Sequence, residues 1–124
     1  MGYESRLYVV QKGHVFGQET MRYSHEIAKF EMCKFPFLAN FMTAAKETDC
    51  YVYSDDGDTK IVEDRYGKPL TEAPVGDVVT VLERALNNGE DYRRIKPVLM
   101  FLKAILYQIE HGIWTDVVVL HYGY

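Results

Sequence analysis

Cysteine, proline and tryptophan are scarce in these 124 residues, with two Cys, four Pro and one Trp, and no long apolar run occurs. Cys33 and Cys50 are too few and too unpatterned for a disulfide framework or a zinc ribbon, which fits a reduced, cytoplasmic setting. No stretch approaches the ~20 apolar residues of a membrane span, and the N-terminus lacks the apolar segment of a secretory signal. The chain is therefore expected to be neither secreted nor inserted in a membrane. Gly2 follows the first Met, but myristoylation requires Ser or Thr at position 6, where Arg6 stands. Basic residues are in deficit as well. Fourteen Lys and Arg against 18 Asp and Glu leave a formal net charge of -4, the wrong sign for gripping a phosphate backbone. Direct nucleic-acid binding is not expected, and the charge is too small for a dedicated DNA mimic.

The usual catalytic signatures are missing too. There is no Gly-x-Ser-x-Gly, no P-loop and no glycine-rich dinucleotide turn. Neither cysteine sits in a recognisable nucleophile elbow. His14, His25, His111 and His121 are scattered, with no His-x-x-x-His and no Cys-x-x-Cys. The residues point to no enzyme, no cofactor and no metal. A ligand set assembled from distant elements stays open beside the plainer reading of surface or satisfied histidines.

What is present is the material of an ordinary globular chain. Apolar residues make up 48% and charged residues 26%, and the length suffices to bury a core in one domain spanning residues 1–124. Tyrosine is the compositional anomaly, ten against six Phe. These rings either line the edge of a small core or gather on an exposed face, where Tyr contributes large contact area at low conformational cost.

The pattern predicts an α+β domain, a largely antiparallel sheet of about five strands with two main helices on one face. Arg6 to Gln11 is β-branched and aromatic, a strand ended by a loop between Gly13 and Gly17. Ser24 to Met32 alternates as a second strand. After Pro36, residues 37 to 47 have the Ala, Leu and Met content of a short helix. Residues 64 to 74 carry Gly67, Pro69 and Pro74 and are expected to be irregular. A long helix should then run from Pro74 to Asn87, with Val75, Val78, Val79, Leu82 and Leu86 on one face. A second carries Val98, Leu99, Leu102, Ile105, Leu106 and Ile109, widened by Met100, Phe101, Ala104 and Tyr107. Its start is expected near Pro97, which lacks a backbone donor, with residues 91 to 94 as a cap. Residues 113 to 124 close the chain as a strand inside the sheet. The surplus of apolar surface on this helix and strand points to a homo-oligomer.

Between Cys50–Tyr53 and Thr59–Glu63, both β-favouring, stands the segment SDDGDTK, the strongest hairpin signal in the chain. Asp56 and Gly57 are expected at the centre of a type I′ turn. A calcium loop would need Gly at the sixth position from Asp55, where Lys60 stands, and Glu at the twelfth, which is absent. Asp55, Asp56 and Asp58 therefore turn the chain in water or meet a host protein with a basic surface, flanked by Tyr51 and Tyr53. Tyr92, Arg93 and Arg94 form the other local feature, two guanidinium groups and a ring able to hold a phosphate or nucleotide, or else an ordinary charged helix entrance.

Four segments, MGYESRLYVV, DDGDTKIVEDRYGKPLTEAP, DYRRI and VVVLHYGY, together resemble small uncharacterised proteins encoded by phages and prophages. The resemblance spans most of the chain and transfers no catalytic or ligand-binding residue. It implies a setting in which small acidic accessory proteins bind host proteins, including antiviral components such as CRISPR nucleases. The expected function is a non-catalytic protein-binding module, an anti-CRISPR-like inhibitor acting by steric and electrostatic occlusion. A protein that binds or sequesters a nucleotide signal is the alternative.

Overall fold

The computed structural model describes residues 3–14, 17, 20–90 and 92–124, with Tyr92 described by its backbone alone. Five strands form one antiparallel sheet in the order β2-β1-β7-β6-β3. They are β1 (Ser5–Lys12), β2 (Ser24–Cys33), β3 (Lys46–Glu47), β6 (Thr71–Pro74) and β7 (Val117–Gly123). Strands β4 (Val52–Tyr53) and β5 (Lys60–Ile61) pair separately as a hairpin. The helices are α1 (Pro36–Thr43), α2 (Val75–Asn87) and α3 (Tyr92–Glu110). The α+β architecture expected from the sequence is the one observed.

The unbroken apolar runs of β1 and β7 follow from burial on both sheet faces. Leu7 and Val9 of β1 and Val117 and Val119 of β7 join the core beneath the helices. Tyr8, Val10 and Leu120 point the other way, into a smaller core closed by Cys50, Val52 and Leu70. The hairpin is thus a lid on the second face, giving three layers: helices, sheet, hairpin. A strand covered on both sides cannot alternate apolar and polar residues, so it reads as a continuous hydrophobic stretch.

Helix α2 begins directly after Pro74, as expected, and buries Val75, Val78, Val79, Val81, Leu82 and Ala85. Both long helices end in the same way, with glycine in the left-handed region. Gly89 N–H donates to Leu86 and Glu90 N–H to Ala85, while Gly112 donates to Ile109 and Ile113 to Gln108. These paired bonds satisfy carbonyls that the helix itself leaves open.

Four expectations are corrected. Helix α3 starts at Tyr92, well before Pro97. A proline six residues into a helix removes one intrahelical bond, and the extra turn gains burial of Ile95, which is 2% exposed. Helix α1 stops at Thr43 because Lys46 and Glu47 are drawn into pairing with Glu72 and Thr71. Residues 71 to 74, expected to be irregular, form β6 between β7 and β3, since tertiary pairing overrides the local signal of Pro69 and Pro74. The hairpin turn is not type I′. Gly57 N–H donates to the Ser54 carbonyl at 2.8 Å, which makes Asp55 and Asp56 the central residues. Only Gly57 of this turn has positive φ, 78°. Much of the loop expected between Gly13 and Gly17, like Asp91 of the expected cap, lies outside the described residues.

Candidate functional site

The sequence singled out the hairpin tip, and the structure sets it against the edge strand β2. Tyr51 is buried at 5% exposure, whereas Tyr53 and Tyr23 are 40% and 44% exposed. The three rings meet edge to face, Tyr23 with Tyr51 at 6.3 Å and Tyr51 with Tyr53 at 5.5 Å between centroids. Lys60 Nζ lies 4.4 Å from the Tyr51 centroid, a favourable placement of a cation over a ring. Tyr51 is thereby the fixed base from which two outer rings project. The Ser24 hydroxyl donates to the Tyr51 carbonyl and ties β2 to the hairpin.

The three acids at the tip do different things. Asp55 bonds Lys29 Nζ at 2.7 Å, and this bond holds its carboxyl below the usual carboxylate range. Asp56 accepts from the Ser54 hydroxyl and from the Asp58 N–H, which lowers its pKa and braces the turn. Asp58 is exposed. A groove of about 380 Å³ runs between β2 and this corner, lined by residues that include Tyr23, His25, Lys29, Tyr53 and Asp55. The tyrosine question from the composition thus has a divided answer, since Tyr8 and Tyr51 are core while Tyr23 and Tyr53 stand on the surface.

The arginine segment lies elsewhere, on the first turn of α3. Successive helical residues diverge around the axis, so Arg93 and Arg94 do not face one site together. Arg94 Nη1 donates to Cys33 Sγ at 3.0 Å. Cys33 ends β2 with a φ of 56°, a backbone state that favours glycine. The Tyr92 side chain lies outside the described residues. Cys50 is fully buried, and burial pushes its thiol up to about 11, away from the thiolate that a nucleophile needs. Among the described residues no group of three or more His, Cys, Asp or Glu could hold a metal ion, and no helix is long and apolar enough to cross a membrane.

A third location escaped sequence reasoning. His121 of β7 is 3% exposed, and its Nε2 lies 2.9 Å from Ser5 Oγ. The Tyr3 ring stacks on it at 5.9 Å and on Tyr66 at 5.5 Å. A cavity of about 240 Å³ opens beside them, with Glu47, Asp64, Lys68 and Thr71 in its wall. Burial pushes the His121 pKa down to about 4, so the ring is neutral near pH 7. The only available hint was a histidine inside the apolar run of the last strand. Its cover, Tyr3, stands more than a hundred residues away in sequence.

Gly123 explains how Tyr3 reaches this place, because a Cβ there would overlap the tyrosine ring and hydroxyl. Gly123→Ala is expected to lose about 1–3 kcal/mol through this overlap. The same change in a Tyr3→Ala background is expected to cost almost nothing. Thermal unfolding of the four chains of that cycle measures the coupling, and equal losses in both backgrounds would rule the contact out.

Compared with protein-family models, with curated proteins and with solved structures, the chain matches none.

Proposed function

We propose that the chain is a non-catalytic protein-binding module that covers a basic surface of its partner with the hairpin corner. The observation that carries this reading is the row Tyr23, Tyr51 and Tyr53, in which a buried ring fixes two exposed ones beside the acidic tip. Aromatic side chains held in place before contact add area at little further loss of freedom, and they are the residue type that dominates binding energy. Asp55, Asp56 and Asp58 supply attraction that steers a basic partner toward them, with Lys29 offsetting part of it at Asp55. With the resemblance to phage-encoded proteins, the partner is a host defence protein, such as a CRISPR nuclease, whose basic groove is sterically occluded. The setting is the host cytoplasm, and helix α3, across the sheet, stays available for self-association.

Affinity capture from host lysate tests this, comparing the wild-type chain with one carrying D55K, D56K and D58K together. The wild type is expected to retain a protein through an attraction that weakens as salt is raised. The triple variant, verified as folded by circular dichroism because Asp56 braces the turn, is expected to bind about tenfold more weakly or worse. Equal retention would remove the tip from the interface. A nucleotide released from the purified wild-type chain, with no protein captured, would favour the ligand-binding alternative.

A further inference from the structure

Helix α3 has two unlike faces. One buries Ile95, Val98, Leu99, Leu102 and Ile105 in the core beneath the helices. On the other, Met100 is 64% and Tyr107 59% exposed, with Pro97 and Ala104 also exposed. Pro97, Met100, Ala104, Tyr107 and His111 follow one another at intervals of three, four, three and four residues. That is the seam spacing of a coiled coil, and here it points away from the protein's own core. The apolar row from Pro97 to Tyr107 is about 15 Å long at 1.5 Å per residue, and His111 ends it one turn further on.

Charge along one flank of this seam decides the occupant and its direction. Lys96, Lys103 and Glu110 stand at seven-residue intervals beside it. Lys103 is bonded within the chain to Glu83 at 3.2 Å. Lys96 and Glu110, both exposed, leave the flank positive at one end and negative at the other. Reversed on itself, such a flank is complementary at its two ends, while Lys103 meets Lys103 of the other copy with each held by its own Glu83. In an antiparallel pair with its two-fold axis between Met100 and Ala104, Met100 of each copy meets the small Ala104 of the other, and Pro97 meets Tyr107. The same register brings Lys96 of each copy within two residues of the level of Glu110 on the other, at both ends. A parallel pair would leave those charges a helix length apart.

We infer that the outer face of α3 is a self-association surface on which a second copy of this chain docks antiparallel. The surface is isologous, as two-fold pairing requires. The hairpin lies on the far side of the sheet, so a dimer would display two hairpin corners at once.

Sedimentation velocity over a concentration series tests the inference and its direction. The wild type is expected to shift from monomer to dimer as concentration rises. K96E and E110K each place like charges at both ends of the seam, and each is expected to weaken dimerisation about tenfold. The chain with both substitutions restores opposite charges and is expected to recover wild-type association. M100K, at an exposed position, should abolish the dimer while leaving circular dichroism and the melting temperature unchanged. A wild type that stays monomeric at every concentration, single variants that associate like it, or a double variant that does not recover would each overturn the inference.

Discussion

Lys12→Met is expected to destabilise the protein by about 3–5 kcal/mol, since it strands a buried carboxylate. The Lys12 side chain is 9% exposed and sits 2.6 Å from Glu72 Oε1 and 2.9 Å from Asp49 Oδ1. Glu72 itself is 5% exposed, with a further bond from the Thr48 hydroxyl at 3.0 Å. Burial works against the charged lysine, but the bonds to Glu72 and Asp49 outweigh it and raise its pKa above the ordinary value. Asp49 shows the converse, with partial burial pushing its pKa up and the bond from Lys12 prevailing to lower it. Without Lys12, the cation left within 4.0 Å of Glu72 among the described residues is Lys46, on a largely exposed side chain. Urea unfolding of Lys12→Met, and of the same chain with Glu72→Met added, separates two causes. If the penalty is the stranded charge, the double variant is the more stable of the two. A double variant worse than the single would mean that packing, not charge, sets the effect.

Acid should weaken the fold through His121. Its folded pKa of about 4 lies below the ordinary 6.5, because burial disfavours the charged ring, with Asp64 opposing that shift. Between these values the unfolded chain binds the proton and the folded chain does not, so stability rises with pH across this window. The contribution is fully present above about 6.5 and is lost progressively as pH falls toward 4. A difference of this size corresponds to about 3 kcal/mol, at 1.36 kcal/mol per pH unit. His121→Gln, which keeps a polar group facing Ser5 but does not titrate, is expected to lose most of the pH dependence in that window. Unfolding free energies measured at several pH values for both chains check this. Parallel curves would show that the ring titrates normally.

Much of the fold was legible because periodicity reports burial directly. The spacing of Val75, Val78, Val79 and Leu82 could only be an apolar helix face. The run from Arg6 to Gln11 had the residue types of a strand. The hairpin was legible as well, though its turn was misjudged, because Asp56 and Gly57 suit several turns and the hydrogen bond from Gly57 to Ser54 is what selects one. Local signals failed where a distant strand overruled them, as at Lys46 and Glu47, which pair with Glu72 and Thr71. Pro97 misled in the other direction, since the burial of Ile95 two residues earlier rewards extending the helix through it.

The candidate site divides along the same line. Sequence alone determined which residues are chemically notable: the acids at 55, 56 and 58, the surplus of tyrosine, and the absence of catalytic motifs. It determined the order of the strands and helices apart from β3 and β6, because propensity and periodicity act over neighbours. Only the tertiary structure decided which tyrosines are supports and which are surface, that Lys29 claims Asp55, and that the closing strand is covered on both faces while α3 is not. It alone joined Tyr3 and His121 at one cavity, with Ser5 behind them against the His121 ring. These outcomes depend on contacts between residues tens to more than a hundred positions apart, and pairing at that range leaves almost no trace in local pattern.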